Sequence, residues 1–342
     1  MSGWVIQANN DLPLSAWERL LASCPDANVF HTPDMMRVFS DIGETEPHVL
    51  GAVNTASGEI DALLASTLIS QFRLPPKRLT SRAVAFGGIL CRAPAALPLL
   101  LSTYSSHMAR RALFTEIRNI SDAGPLRPQM LEASFLYESH LNFLIDLSRG
   151  QESVWRRIDK DARKNIRRTL DRGATIREVA DQSDLDCFYR IVKDTYSRRR
   201  VPLLGLPVFR NAWRDLTPKR MARFWIMQLD GKSIAARAIL QFHGVTYDWY
   251  AGSLYPAPRG LYPNETMVWH AIKECLSADS RSFDFGGAGR PDQSYGVRDF
   301  KKKFNGTLVE YGRFRQIHAP ILFPVLERAY ALYRPFVGLQ AH

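Results

Sequence analysis

Cysteine is scarce and scattered. The four residues, Cys24, Cys91, Cys187 and Cys275, lie far apart and form no C-x-x-C pair. This argues against a disulfide scaffold or a thiolate zinc site and fits a reducing cytoplasm. The eight histidines make no H-x-H or H-E-x-x-H spacing, so no metal site is expected. Long apolar runs are missing as well. The greasiest stretch, 89–101, is broken by Arg92, Pro94 and Pro98, and a bilayer span needs ~20 apolar residues. Met1-Ser2-Gly3-Trp4-Val5 lacks a basic segment followed by an apolar one, so no signal peptide is expected. A Walker loop would need glycine six residues before Lys232, where Ile226 stands. Gly287-Ala288-Gly289-Arg290-Pro291-Asp292 starts like a dinucleotide fingerprint but lacks its third glycine. No G-x-S-x-G elbow and no heptad run occur.

What is present is length and positive charge. At 342 residues the chain can hold two ordinary domains. Hydrophobic residues at 46% and charged residues at 23% give the make-up of a soluble globular protein. Lys+Arg 45 against Asp+Glu 34 leaves +11 and a pI near 9.6. Such a balance favours acidic partners: RNA, the phosphates of CoA or of lipids, or an anionic membrane face.

One order of elements occurs twice. Helices over 15–24 and 33–42 in the first half match helices over 184–198 and 207–216 in the second; Thr32 caps the helix that Pro33 opens. A hairpin follows in each half. Strands 49–53 and 60–69 flank Ser57-Gly58, and strands 224–229 and 233–242 flank Asp230-Gly231. A further strand comes next, 84–90 or 245–252, then a helix, 97–112 or 264–278, then a strand, 113–120 or 282–285. Gly58 and Gly231 are 173 residues apart. Identity between the halves is low, so the repeat is one of pattern.

Between the halves, Val154, Ile158, Ala162, Ile166 and Leu170 recur every four residues, which predicts one helix over 153–172, capped by Ser153 and ended by Gly173. Its other faces carry Arg156, Arg157, Lys160, Arg163, Lys164, Arg167, Arg168 and Arg172 against Asp159, Asp161 and Asp171. So many cations on one helix repel one another unless an anion binds there; a solvated surface helix is the alternative. A last helix, 320–339, is interrupted by Pro324 and Pro335 and mixes Leu322, Phe323, Tyr330 and Phe336 with Arg328 and Arg334. It either packs on the body of the protein or makes peripheral contact with an anionic membrane.

The most informative stretch is Phe283-Asp284-Phe285-Gly286-Gly287, followed by Tyr295-Gly296-Val297-Arg298-Asp299-Phe300-Lys301-Lys302-Lys303-Phe304-Asn305-Gly306. A buried strand that opens into a flexible basic loop is a place to hold an anionic ligand. A plain strand, turn and solvated charge run would read the same way. These residues resemble the C-terminal signature of the FemABX peptidyltransferases in the GNAT-fold acyltransferase superfamily, an FDFGG-like strand and a G-V-x-x-F-K-x-x-F-G-like segment, with Asn305 inserted before the last glycine. Three further stretches resemble the same family. They are Arg163-Lys164-Asn165-Ile166-Arg167-Arg168, Leu261-Tyr262-Pro263-Asn264-Glu265 with Trp269, and Phe30-His31-Thr32-Pro33-Asp34, where Met35 stands in place of a tryptophan.

The resemblance implies an α/β (α+β) fold of two tandem GNAT-like domains, each a mixed, mostly antiparallel sheet flanked by helices. The expected boundaries are 1–150, 151–318 with the active site, and 319–342 as an amphipathic tail. It also implies a V-shaped parting of strands beside Asp284 and Lys301. Lys301 would neutralise charge developing on the acyl oxygen, an effect worth ~3 kcal/mol of barrier for a preorganised cation. Asp284 would orient or deprotonate the amine, or else cap the glycine turn. Tyr295 joins them as a catalytic candidate. Donor-binding candidates are Arg259, whose Arg259-Gly260 loop matches only part of a CoA pyrophosphate motif, and Asn264 at a positive helix N-terminus. To these are added Arg298, Lys302, Lys303 and the basic-helix residues Lys164, Arg167 and Arg168. Asp248 and Tyr250 lie on the strand that lines the acyl cleft and are candidates for the acceptor. His31 is expected to be a neighbour of a helix cap.

Three activities fit. The first is aminoacyl transfer from aminoacyl-tRNA to an amine on a cell-envelope precursor or peptide. The second is N-acylation of a lipid or sugar amine from acyl-CoA or an acyl-carrier protein. The third is a non-catalytic module that binds RNA or a membrane. No tightly bound cofactor and no DNA partner are expected; a cytoplasmic location, either free or peripheral to the inner face of the membrane, is.

Overall fold

The computed structural model describes residues 3–70, 77–278 and 280–324. Most of the helix expected over 320–339 lies outside the described residues. Among the described residues no helix is long and apolar enough to cross a membrane.

The chain forms two compact units. The first contains β1 (Trp4–Ala8), α1 (Leu14–Ser23), α2 (Pro33–Val38), β2 (Thr45–Asn54), β3 (Ile60–Ser70), β4 (Ser81–Ala85), β5 (Leu90–Cys91), α3 (Leu97–Met108), β6 (Phe114–Arg118), α4 (Arg127–Glu132) and β7 (Leu136–Glu138). The second contains β8 (Leu141–Asp146), α5 (Gly150–Arg157), α6 (Lys160–Asp171), β9 (Thr175–Glu178), α7 (Gln182–Arg198), α8 (Leu206–Leu216), β10 (Ala222–Leu229), β11 (Lys232–Phe242), β12 (Val245–Ser253), α9 (Pro263–Ser277), β13 (Ser282–Gly287), α10 (Gly296–Lys302) and β14 (Thr307–Glu310). The chain then returns to the first unit as β15 (Arg313–Ile317).

The first sheet runs β1-β2-β3-β4-β6-β15-β7, with β5 beside β3, and the second runs β14-β8-β13-β12-β11-β10-β9. One parallel pair is described in each sheet, β4 with β6 and β12 with β13, among antiparallel neighbours. Both sheets are thus mixed, mostly antiparallel and flanked by helices, as expected. Each unit has its own core. In the first, Leu64, Ala85, Leu97, Leu101, Tyr104 and Phe314 pack together. In the second, Trp225, Ile239, Val268, Ile272, Phe283 and Phe304 do so.

The expected boundary at 150 falls ten residues late. β8 pairs with β13 in the second sheet, while β15, expected to stay in the second domain, pairs with β6 and β7 in the first. The units are 3–140 with 310–324, and 141–309. Sequence patterns missed this exchange because both strands find their partners far along the chain.

The helix expected over 153–172 is two helices. Ile158 is extended (φ −62°, ψ 140°), and Asp159 caps α6 by accepting from the N–H groups of Asp161 (2.8 Å) and Ala162 (3.2 Å). The four-residue apolar stripe runs through the break because both pieces bury the same side: Val154, Ile158, Ala162 and Ile166 are buried, while Leu170 stands 41% exposed. The strand expected over 84–90 is likewise two short strands, β4 and β5. The lysine triplet is no flexible loop: Lys301 and Lys302 lie in α10, with Lys303 at its C-cap.

Candidate active site

The second sheet opens at its centre. β12 and β13 are paired through Val245↔Ser282, Thr246↔Phe283 and Tyr247↔Asp284, and no further. Beyond that point β12 follows β11 through a bulge, in which Ala238 faces Tyr250 and Ile239 faces Asp248, so Trp249 is the extra residue. β13 instead follows β8, with a register break between Asp284 and Gly287. This is the V-shaped parting that the family resemblance implied. An extended acyl group can enter a sheet at such a gap.

Four charged groups gather at the gap. Asp284, 2% exposed, accepts from the N–H of Gly286 (2.6 Å) and from Nδ2 of Asn142 (3.5 Å). Burial pushes its carboxyl up to about 6, against the Gly286 hydrogen bond and the Lys301 charge, which pull it down. Lys301, 7% exposed, donates to the carbonyls of Phe285, Gly286 (3.2 Å) and Gly287 (2.8 Å), and its ammonium lies 5.3 Å from the centre of the Phe285 ring. Burial pulls it down to about 8, opposed first by Asp248 and then by Asp284. Lys301 therefore ties the glycine-rich end of β13 to α10. Gly286 has φ +70°, and that left-handed turn frees three successive carbonyls to converge on one ammonium.

Sequence reasoning missed the fourth member. Arg237 on β11, 3% exposed, forms an ion pair with Asp248 on β12, and its Nε is buried without a hydrogen-bond partner. The signal was present: Arg237 is a lone cation in the run Ile234-Ala235-Ala236-Arg237-Ala238-Ile239-Leu240. Asp248, expected to meet the acceptor, is engaged by Arg237. Tyr250 packs in an aromatic group with Phe209 (4.8 Å) and Tyr196 (5.5 Å) on α8 and α7. Burial raises the Tyr196 hydroxyl well above the usual tyrosine range.

A second feature is basic. Lys164, Arg167, Arg168, Asp171 and Arg172 on and after α6 line an open cleft of about 480 Å³. The Arg259-Gly260 loop lies against it: Arg172 donates to the Arg259 carbonyl. A Cβ on Gly260 (φ +75°) would sit 2.7 Å from the Arg168 guanidinium. The N–H of Tyr262 donates to Oγ1 of Thr169 (2.9 Å), which fixes the loop to α6 just before α9 begins. Four of the expected donor residues, Lys164, Arg167, Arg168 and Arg259, thus belong to one surface.

The others are placed differently. Asn264 is in the first turn of α9, but so is Glu265, 7% exposed and paired with Lys303 (3.2 Å). Lys302 is exposed and paired with Asp299 (3.6 Å). Arg298 clamps the turn after β13 through the carbonyls of Ala288 (2.8 Å) and Arg290. Tyr295, 41% exposed, precedes α10 with its ring against Gly289.

The first unit has the corresponding gap, since β4 and β6 are last paired at Ala85↔Ile117. Its own residues fill it. Asn28 donates to the Gly87 carbonyl (2.9 Å), and Nε2 of buried His31 lies 3.3 Å from the Gly88 carbonyl. His31 and Asn28 also form a capping box, so His31 serves the local fold.

Residues 156–302 match the acetyltransferase (GNAT) domain family. No curated protein matches the sequence. Among solved structures, FemX is similar over 96% of this chain and 100% of its own, at 15% identity and TM-score 0.69. The C-terminal domain of a putative lysylphosphatidylglycerol synthetase from Agrobacterium fabrum is similar over 93% of this chain and 95% of its own, at 15% identity and TM-score 0.55. A tandem GNAT protein from the clavulanic acid biosynthesis pathway is similar over 92% and 99%, at 10% identity and TM-score 0.54. With the opened sheet already described, the match of residues 156–302 to the acetyltransferase (GNAT) domain family, in a tandem fold like that of FemX, supports an acyltransferase.

Proposed function

We propose that the second unit transfers an aminoacyl group from aminoacyl-tRNA to an amine on a cell-envelope precursor or peptide, in the cytoplasm. The observation that carries this reading is the pairing of the basic α6 cleft with an acidic start to α9. A CoA pyrophosphate seated on the N-terminus of α9 would meet Glu265, a buried carboxylate in its first turn, and would compete with it for Lys303. The cleft of Lys164, Arg167, Arg168 and Arg172 offers an open run of cations, which suits the spaced phosphates of a nucleic-acid backbone.

The acyl ester would enter the gap between β12 and β13. The acceptor ammonium loses its proton to Asp284, whose raised pKa suits it to act near neutral pH. The amine nitrogen attacks the ester carbonyl carbon, the amide bond forms, the ester C–O bond breaks, and the ribose oxygen leaves as a hydroxyl with the second proton lost by that nitrogen. The three donors of Lys301 are committed to the β13 carbonyls, so Lys301 acts on the developing oxyanion through its field and by holding the turn.

The match to an acetyltransferase domain family supports a second reading, in which an acyl-CoA or acyl-carrier protein is the donor and a lipid or sugar amine the acceptor. A salt titration decides between them. On the first reading total tRNA binds with steep salt dependence, and Lys164→Gln with Arg168→Gln lowers the slope by about two. Tight binding of a CoA thioester together with indifference to tRNA overturns it in favour of the second.

A further inference from the structure

We propose that the first unit carries an oxoanion-binding site formed by Arg118, Arg313 and Arg315, independent of the transfer chemistry in the second unit. Arg118 ends β6, one residue past the last β4–β6 pair. Arg313 stands directly opposite it on β15. Like charges directly opposed across a ladder repel.

All three guanidiniums converge on Glu116, whose side chain is 8% exposed. Arg118 Nε donates to Oε1, Arg313 Nη1 lies 3.5 Å from Oε1, and Arg315 Nη2 lies 3.2 Å from Oε2. Glu138 takes the other Nη of Arg315 at 3.2 Å. Two carboxylates thus face three cations, in a place where every one of these side chains is two thirds or more covered.

A clasp that only fastened β15 to β6 would need no third guanidinium opposite the first. Donor capacity is also left over. Each guanidinium has five N–H groups, and the Nε of Arg315 is buried without a hydrogen-bond partner. Phe86 lies beside Arg118 (5.4 Å from guanidinium carbon to ring centre) and Phe114 beside Arg315 (5.6 Å). The N–H edges of a guanidinium donate paired hydrogen bonds to a tetrahedral or planar oxoanion. A phosphate or carboxylate that bridges Arg118 and Arg313 would remove their repulsion.

The test uses the full chain with Lys164→Gln and Arg168→Gln, so that the α6 cleft does not report. Inorganic phosphate is titrated against chloride at matched ionic strength while the melting temperature is followed. Flotation with phosphatidylglycerol and phosphatidylcholine vesicles is the second arm. A saturable rise in melting temperature, with affinity about tenfold or more weaker in Arg118→Gln and Arg313→Gln, supports a soluble phosphate ligand. Selective binding to phosphatidylglycerol vesicles, lost in the same variants, supports a lipid phosphate. Should Arg313→Gln fail to fold, Arg118→Gln leaves Glu116 with two partners and still decides. If neither probe binds, or if binding survives in the arginine variants, the cluster is only a clasp and the proposal is overturned.

Discussion

Asp284→Asn should make the protein more stable and less active at neutral pH. The carboxyl is 2% exposed, and its folded pKa lies above the ordinary one, at about 6 against 3.8. The folded state therefore holds this proton more tightly than the unfolded chain does. Stability is greatest below the unfolded pKa and falls as pH rises through the folded one. The full penalty of the buried charge, about 3 kcal/mol, is present by pH 7.5. Asparagine has no charge to desolvate, and its Oδ1 can still accept from Gly286. Its new Nδ2 donors must find partners in a site built for an acceptor, which returns about 1–2 kcal/mol. The net gain should be about 1–2 kcal/mol at pH 7.5 and should vanish or reverse by pH 4. Transfer from aminoacyl-tRNA should fall about 10²-fold or more if Asp284 takes the proton. Urea unfolding at pH 4, 5.5 and 7.5, beside single-turnover rates, checks both. A stability difference that does not change with pH refutes the buried-charge account, and an unaltered rate removes Asp284 from the chemistry.

Two further substitutions probe the scaffold. Glu116→Gln leaves Arg118, Arg313 and Arg315 without the carboxylate they share, and should cost about 3 kcal/mol at pH 7 by thermal unfolding. Burial pushes the Glu116 carboxyl up, but the three arginines together outweigh it and hold the carboxyl at about 2, below 4.5, so its stabilisation is complete above pH 4.5. The gap between variant and wild type should close as pH falls toward 2; a gap that persists there refutes the charge argument. Gly252→Ala should cost about 1–3 kcal/mol, because its Cβ would lie 2.7 Å from the Ile191 carbonyl and 2.8 Å from Val192 Cα, forcing α7 off β12. Unchanged denaturation midpoints would show that α7 yields without cost.

Local signals were legible where local chemistry decides the backbone. Asp230 and Gly231, both at positive φ, make the hairpin between β10 and β11 as their dipeptide implied. Thr32 caps α2 by accepting from Met35 N–H (3.1 Å), and Pro33 opens it. What could not be read locally was decided by distant partners. Nothing near Leu141 says that β8 will lie beside β13, and nothing near Arg313 says that β15 will lie between β6 and β7. At the site the strand end at Asp284 and the importance of Lys301 were visible as a motif. The state of Lys301 was not, because only the fold reveals that its donors meet three carbonyls. Asp248 looked like a free acceptor ligand until the strand register put Arg237 within reach, and Glu265 became informative only as the occupant of a helix start.

The exchange of β8 and β15 has a consequence for synthesis. Glu116 and the Arg315 that binds it are 199 residues apart. A nascent chain that has finished β7 still lacks the strand that belongs between β6 and β7. That slot stays unfilled, with exposed strand edges, until the whole second unit has left the ribosome. Late closure of so long a loop makes completion of the first sheet a slow and non-local step. A chain cut between Glu310 and Arg313 would keep every second-unit strand and still leave the first unit unfinished.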